Sequence, residues 1–359
     1  MGLLRYLLAA SVVIGHSFGS AYNLNWVPLN GVKCVLLFFV ISGFYMTLVL
    51  NEKYNSKQLI LFWENRALRL WPSFIFATIL MAIFAKPNLL ITAFKETSFP
   101  TFLTIILSNF TMLGYEIKDI TGLNINNNLV LLNFSETPIS HYFYLQPGWS
   151  LGLEIWFYIL APFVVKSFFK TLIAFVLGLI FFISIKIIGA VEIWAYRSFP
   201  PVMTFFMLGS LSYHLILILK KYTFVKYYYF VGNRIILPFT IILLIFPNVL
   251  DIFILEQHKF KFFMLVFFIF MPSWFYFSKK LNFDNIIGSA SYPLYVIHPF
   301  IIFIFNNYSG YSNYALKPFV ILILSTILSF IMVYLIENPI DKLRQRRVVL
   351  NKNHLDKKN

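Results

Sequence analysis

Residues 2–19, GLLRYLLAASVVIGHSFG, form an apolar stretch that contains two ionisable side chains, Arg5 and His16. With about 3.6 residues per turn, their spacing places both side chains on nearly the same helix face, about 16 Å apart along the axis. A guanidinium and an imidazole are costly inside hydrocarbon, so they are candidates for a function. The alternative is an arginine that marks the helix end and a histidine that is hydrogen-bonded within the bundle.

Apolar stretches of this kind recur along the whole chain. Of its 359 residues, 59% are hydrophobic and 12% are charged, whereas soluble domains are about one quarter charged. A stretch of about twenty apolar residues crosses the hydrocarbon core as a helix. The sequence therefore predicts an all-α, polytopic membrane helical bundle of about ten transmembrane helices. The predicted spans are 3–19, 31–50, 71–87, 149–165, 171–189, 199–219, 235–254, 262–278, 288–306 and 317–337.

The positive charges of the chain are distributed unevenly. The net charge is +15, and most of the 29 Lys and Arg residues fall in alternate joints between the predicted spans and in the C-terminal tail. Cytoplasmic loops carry such an excess. Both termini are therefore predicted to be cytoplasmic. The basic surface is predicted to contact membrane lipid and not nucleic acid. We predict a single membrane domain, 1–341, followed by a basic cytoplasmic tail, 342–359.

Residues 101–115, TFLTIILSNFTMLGY, break the alternation of the joints. If this stretch crossed the membrane, the basic joints after it would lie on the opposite side from those before it. The stretch is also short and contains serine, asparagine and threonine. We therefore predict a re-entrant or interfacial segment near 101–115. It belongs to a long region, 86–148, that is predicted to face outward. Loops this long are often functional.

Arg66 and Arg69 lie in FWENRALRLWP, residues 62–72, in the joint before the third predicted span. Three residues apart on a helix, they share a face, and Pro72 suits the first turn of the helix that follows. Two guanidiniums at the membrane surface suit bidentate binding of phosphates. The alternative is a pair of ordinary anchors or a site for lipid head groups.

Residues 148–158, GWSLGLEIWFY, contain a polar stripe in which Ser150, Glu154 and Tyr158 recur every four residues. Glu154 is predicted to lie about one turn inside the outer interface, where a carboxylate must be paired, protonated or exposed to a water-filled cavity. Glu154 is therefore a candidate for orienting His16 or for contacting a polar acceptor. The alternative is a hydrogen-bonded tie between helices.

Residues 288–299, GSASYPLYVIHP, place Ser291, Tyr295 and His298 on one helix face. His298 is either a second histidine of a site or a residue that is hydrogen-bonded inside the bundle. The single cysteine, Cys34, excludes an intrachain disulfide. The chain contains no HExxH, GxSxG, P-loop or GxGxxG pattern, so we predict no metal site, serine hydrolase or nucleotide-driven pump.

Taken in order, these motifs resemble those of the acyltransferase-3 family of integral-membrane O-acyltransferases, which includes surface polysaccharide O-acetylases. The matching elements are Arg5 through His16, residues 34–44 (CVLLFFVISGF), Arg66 through Pro72, Trp149-Ser150-Leu151-x-x-Glu154, Phe205-Phe206-x-x-Gly209, Ser291-Tyr292-x-x-Tyr295-x-x-His298 and Glu337-x-Pro339. Leu36 departs from the pattern, because many members have an acidic or amide residue there.

The resemblance implies a function and a location. It implies transfer of an acyl group, usually acetyl, from cytoplasmic acyl-CoA to a hydroxyl of a surface or lipid-linked polysaccharide. Acetyl-CoA is then a donor substrate, and no tightly bound cofactor is expected. The expected location is the bacterial inner (plasma) membrane, with a multi-pass topology.

The resemblance also implies roles for the motif residues. His16 is expected to be the general base, or the nucleophile of an acyl-histidine intermediate, with Arg5 and Glu154 as further catalytic residues. Arg66 and Arg69 are expected to bind the donor. The expected substrate-binding residues are Trp149, Ser150, Tyr295 and His298.

Two other functional classes fit the same composition. A transporter or flippase for a glycolipid or an acyl donor also has many spans and intramembrane polar residues, although the sequence shows no internal repeat. A polysaccharide polymerase or ligase also combines arginines with long loops, but the arginine pair here is predicted to lie on the cytoplasmic side.

Overall fold

The computed structural model describes residues 1–18, 30–54, 58–131, 137–189, 192–246, 248, 250, 255–308 and 316–356. These residues form a bundle of helices, which confirms the all-α membrane fold. Within the described residues, eight helical segments are long and apolar enough to cross a membrane. Two shorter apolar helices, Gly2–Phe18 and Phe99–Thr111, accompany them. The number of crossings and the cytoplasmic location of the termini stay predictions.

The helices and strands follow the chain in this order. The first helices are α1 (Gly2–Phe18), α2 (Gly31–Glu52), α3 (Leu59–Leu80, continued by the π-helical turn Met81–Ala85), α4 (Leu89–Glu96), α5 (Phe99–Thr111) and α6 (Ile117–Ile120). Three short strands follow, namely β1 (Thr121–Leu123), β2 (Leu129–Leu131) and β3 (Thr137–Pro138). The later helices are α7 (Trp149–Val164), α8 (Phe168–Ile187), α9 (Glu192–Arg197), α10 (Phe199–Leu219), α11 (Val225–Val231), α12 (Leu237–Ile245), α13 (Glu256–Ser278), α14 (Asn282–Tyr308), α15 (Lys317–Met332) and α16 (Asn338–Asp356).

Each predicted span coincides with a helix, but the third one begins too late in the prediction. Helix α3 begins at Leu59 and not at residue 71, so Arg66 and Arg69 lie within the helix and Pro72 lies in its interior. The prediction of a joint with Pro72 in a first turn was therefore wrong. Charged residues lower the local hydropathy, yet Leu, Glu, Arg and Ala, which make up most of residues 59–71, favour a helix. In the seventh predicted span, residues 247, 249 and 251–254 lie outside the described residues.

In the region predicted to face outward, 86–148, the described residues 86–131 and 137–148 form short helices and the strands that the all-α prediction did not include. The strands form one antiparallel sheet in the order β2-β1-β3. Helix α5 is followed by Met112 in the left-handed conformation (φ 62°). Asn109 near its end is fully buried, donates to the carbonyl of Tyr142 (3.0 Å) and accepts from the backbone N–H of Tyr144 (3.0 Å). The buried amide of Asn109 in this short apolar helix thus forms its hydrogen bonds with other parts of the protein.

Close helix contacts position the centre of the bundle. A Cβ atom on Gly43 of α2 would lie 1.8 Å from the carbonyl oxygen of Phe206 in α10, and one on Gly209 would lie 1.8 Å from the carbonyl oxygen of Val40. Only glycine permits this approach of the two backbones. Helix α1 packs among α2, α14 and α15. The contacts of α1 and α2 place their polar residues beside those of α14.

Helix α16 begins immediately after the π-helical turn Val333–Glu337 and packs against α3. Arg347 of α16 forms an ion pair with Glu64 of α3. The predicted boundary between a domain, 1–341, and a tail, 342–359, stays a prediction, and residues 357–359 of that tail lie outside the described residues.

Candidate functional site

A cavity of about 340 Å³ lies between α1, α2, α3, α7, α14 and the start of α16. It brings together many of the residues that the sequence singled out, although they are far apart along the chain. Of the predicted site residues, Arg5, Arg66, Arg69, Ser150, Glu154 and Tyr295 line it. Arg5 comes from α1, so the cavity connects the opening helix of the chain to the arginine pair of α3.

The arginines leave much of their hydrogen-bonding capacity unused. Among the described residues, the guanidinium of Arg5 has no hydrogen-bond or ion-pair partner. Arg66 lies over the ring of Phe62, 5.7 Å from its centroid, and its buried Nε has no partner in the described part of the chain. Arg69 pairs with Glu337 (3.5 Å), which also accepts a hydrogen bond from Ser73. Guanidiniums with free donors around a cavity suit an anionic ligand.

Glu154 lies in the cavity wall and is bound by hydroxyl groups. Its Oε1 accepts a hydrogen bond from Ser42 (2.8 Å) of α2 and another from Tyr158, one turn further along α7. The sequence offered Glu154 as a residue that orients His16, but in the described structure the hydrogen-bond partner of His16 is His298. Glu154 instead connects α2 to α7 and contributes a carboxylate to the cavity.

Tyr295 links the cavity to the histidines. Its hydroxyl lies 2.8 Å from Oγ of Ser150 and donates to the carbonyl of Pro147 (3.1 Å). The Tyr295 ring is 6.0 Å from that of His298, which follows on the same face of α14. Tyr295 thus hydrogen-bonds to Ser150 of α7 and packs beside His298, which connects two motifs that the sequence showed separately.

His16 and His298 contact each other beyond the cavity lining. Nδ1 of His16 lies 2.9 Å from Nε2 of His298, although 282 residues separate them. His298 is completely buried, whereas His16 is exposed near the end of α1. Because a neutral imidazole has one donor and one acceptor, one ring must donate in this pair. If Nδ1 of His16 donates, its Nε2 is left as an exposed acceptor, which is the form that a general base requires.

Trp149 does not line the cavity. It is buried, with its ring edge-on to Phe39 (6.4 Å) and the guanidinium of Arg197 over its face (4.9 Å). Arg197 pairs with Asp119 (2.6 Å), which also pairs with Lys118 (2.8 Å). Burial lowers the pKa of Lys118, and the charge of Asp119 opposes this shift. The role of Trp149 in substrate binding stays a prediction.

Several lining residues were not identified from the sequence. Tyr158 belongs to the polar stripe of α7 but had no assigned role, and Ser42 was only part of a motif. Arg344 and Asp341 of α16 also line the cavity, and the sequence had counted Arg344 among the charges of a tail. The basic composition of this segment gave no signal that one of its arginines turns inward. Leu36, at the position where the motif departs from its usual pattern, is buried in the core.

Comparisons with known proteins identify relatives of limited coverage. The chain is 29% identical to proteins named O-acetyltransferase OatA from strains of Staphylococcus aureus, over 169 residues that cover 45% of this chain and 24% of those proteins. It is also 29% identical to an uncharacterized protein of Haemophilus influenzae, over 153 residues that cover 41% of this chain and 56% of that protein. The chain thus spans about a quarter of the length of the OatA proteins. No solved structure matches it.

The family comparison covers nearly the whole membrane bundle. A family model described as an acyltransferase domain matches residues 1–337. This range contains Arg5, His16, Glu154 and His298, and it ends at Glu337, the partner of Arg69. The family suggested by the ordered motifs is therefore confirmed, and the chain belongs to the acyltransferase-3 family.

Proposed function

We propose that this chain is a membrane O-acyltransferase that moves an acyl group from cytoplasmic acyl-CoA to a hydroxyl of a surface or lipid-linked polysaccharide. The proposed acyl group is acetyl. We place it in the bacterial inner membrane. The observation that supports this function most directly is the cavity that extends from three predicted arginines to Tyr295, next to the His16–His298 pair. The name of the Staphylococcus aureus relatives, O-acetyltransferase, supports the same reaction type.

The donor fits the arginine end of the cavity. Coenzyme A carries several phosphate charges, and the guanidiniums of Arg5 and Arg66 bind no oxygen acceptor among the described residues, although Nη1 of Arg66 contacts Sδ of Met46 (3.9 Å). The charge rule predicts that this end faces the cytoplasm, where acyl-CoA is available. The extended pantetheine arm then directs the thioester toward Tyr295.

The acceptor fits the histidine end. Nε2 of His16 takes the proton from the acceptor hydroxyl as the oxygen attacks the thioester carbonyl carbon. The new C–O bond forms, the C–S bond breaks, and the proton passes from His16 to the departing thiolate, so that the products are an ester and free CoA. His298 accepts from Nδ1 of His16 and holds the base in the required tautomer.

The test is to replace His16 by Ala and to measure O-acetyl groups on the glycans of cells that express equal amounts of each protein. We expect loss of acetylation with His16→Ala and none with His258→Ala, which removes an exposed histidine outside the site. Acetylation that still requires the protein but survives His16→Ala would refute the role of His16.

An assay with purified protein separates this function from transport. The protein in detergent is mixed with acetyl-CoA and a sugar acceptor, and the acetylated sugar is measured by mass spectrometry. An acyltransferase forms the ester without a membrane gradient. A transporter leaves both substrates unchanged, and that result would contradict the proposed function.

A further inference from the structure

Helix α16 adds an arginine to the cavity from outside the residues that the family model matches. That match ends at residue 337, and α16 runs over Asn338–Asp356. Arg344 nevertheless lines the cavity together with Arg66, Arg69 and Asp341. Its side chain is only 14% exposed, although it lies in a segment that reads as a solvated basic tail.

The contacts of Arg344 leave part of its guanidinium without a partner. One terminal nitrogen, Nη1, pairs with Asp341 on the preceding turn of α16. Its Nε is buried and has no hydrogen-bond partner among the described residues, and the same is true of Nε of Arg66. Buried donors are nearly always satisfied in proteins, and an unsatisfied one is destabilising. Nη2 of Arg344 also forms no hydrogen bond with a described residue, so the part of the guanidinium that Asp341 leaves free can bind an acceptor that the protein itself does not provide.

The next turn of α16 also contacts α3. Arg347, on the next turn, pairs with Glu64 of α3, the helix that also contains Arg66 and Arg69. The two helices are thus joined beside the cavity. The charged side chains of the lining are four arginines, Arg5, Arg66, Arg69 and Arg344, and two carboxylates, Glu154 and Asp341. The positive charge is in excess at this end, which favours an anionic ligand.

We propose that Arg344 binds a phosphate group of the acyl-CoA donor together with Arg66, so that α16 completes the donor site. This inference rests on the proposed function. Guanidinium and phosphate form paired, charge-assisted hydrogen bonds, and Asp341 orients Arg344 through Nη1 while Nη2 forms no hydrogen bond with a described residue. The C-terminal helix is then part of the binding site and not only a topology signal.

The test is the affinity of the purified full chain for CoA, measured by titration calorimetry in detergent. We expect Arg344→Ala to weaken binding by about 10- to 100-fold, the effect of losing a charge-assisted hydrogen bond. Arg347→Ala removes a second arginine of the same helix outside the cavity and should leave the affinity within about twofold. Arg344→Lys keeps the charge without the fork and should show an intermediate loss.

A double variant separates direct binding from charge balance. If Arg344 only neutralises Asp341, then Arg344→Ala combined with Asp341→Ala restores the affinity for CoA and overturns the proposal. If Arg344 binds phosphate directly, the double variant stays weak. Wild-type protein that does not bind CoA would refute the proposed function itself. Equal affinity of wild type and Arg344→Ala would refute only the role of Arg344.

A second experiment with phospholipid tests whether Arg344 binds the phosphate of CoA or that of a lipid head group. Thermal stabilisation of the protein by phosphatidylglycerol in mixed micelles is compared between wild type and Arg344→Ala. We expect the same stabilisation in both, because the cavity residue is reserved for the donor. Loss of lipid stabilisation with unchanged CoA affinity would assign Arg344 to a head group and overturn the proposal.

Discussion

Single residues decide the chemistry of this site, and the histidine pair is the main example. His16 is exposed and His298 is buried, so only His16 is accessible to an acceptor while His298 stays in the protein. A buried imidazole is stable in its neutral form. The 2.9 Å hydrogen bond between the rings then couples their tautomers. In the proposed reaction His298 is therefore a positioning residue and not a second base.

Replacement of His298 tests this role. We expect His298→Ala to lower kcat by about 100-fold, the lower end of what general-base catalysis contributes, with KM for acetyl-CoA little changed. His298→Gln retains an acceptor oxygen for Nδ1 of His16 and should recover part of the activity. Steady-state kinetics of the purified variants measure both values. A KM effect without a kcat effect would instead indicate that His298 binds substrate.

Glu154 provides a second test at the residue scale. Removing its carboxylate leaves the hydroxyls of Ser42 and Tyr158 without their acceptor, which should cost about 1–3 kcal/mol of stability. Thermal denaturation in detergent should show a lower midpoint for Glu154→Ala and a partial recovery for Glu154→Gln. Glu64→Ala, which removes an exposed ion pair with Arg347, should stay within about 1 kcal/mol. An unchanged midpoint for Glu154→Ala would exclude the structural tie.

At the scale of elements, the contact between α2 and α10 holds one side of α2, the helix that contributes Ser42 to the cavity. Gly43→Ala places a methyl group 1.8 Å from a backbone carbonyl, so the helices must separate. We expect a loss of about 1–3 kcal/mol from overpacking and a loss of activity, because Ser42 beside it lines the cavity. Thermal denaturation and the acetyltransfer assay measure the two effects.

A matched glycine in α1 serves as the control for this prediction. A Cβ atom on Gly15 meets no described atom within 4 Å. Since alanine favours a helix interior over glycine by about 1 kcal/mol, Gly15→Ala should leave the denaturation midpoint unchanged or higher. Equal midpoints for Gly43→Ala and Gly15→Ala would show that the α2–α10 contact tolerates separation.

Helix α3 shows where prediction from sequence fails for an element. Hydropathy placed its start at residue 71, because Glu64, Arg66 and Arg69 resemble a solvated joint. In the structure the helix begins at Leu59, and its charged residues Glu64 and Arg69 pair with Arg347 and Glu337. These partners come from the far end of the chain. Local hydropathy contains no information about them.

At the scale of the molecule, the sequence predicted the helices better than their assembly. Apolar length identified the positions of the long apolar helices, because a helix buried in lipid must be apolar whatever its neighbours are. The ordered motifs also identified most residues of the cavity. They did not reveal the pairing of His16 with His298, the inward position of Arg344 or the strands of 86–148. Each of these depends on contacts between segments that are distant in sequence.

The topology of the chain can be tested with single cysteines introduced at exposed positions. Cys34 is buried and unique, so Cys34→Ala gives a cysteine-free background. Three exposed positions then report the side of the membrane: Lys53→Cys after α2, Asn126→Cys between β1 and β2, and Lys221→Cys after α10. With an impermeant maleimide on intact cells, we expect labelling at residue 126 only, and labelling at 53 and 221 after permeabilisation.

Each wrong topology gives its own labelling pattern. If α5 crosses the membrane, residue 126 becomes cytoplasmic and residue 221 becomes external, while residue 53 stays cytoplasmic. If the termini are external, residues 53 and 221 are labelled on intact cells and residue 126 is not. The expected pattern requires both that α5 does not cross and that Arg66, Arg69 and Arg344 face the cytoplasm. It therefore tests the membrane side on which the acyl-CoA donor must enter.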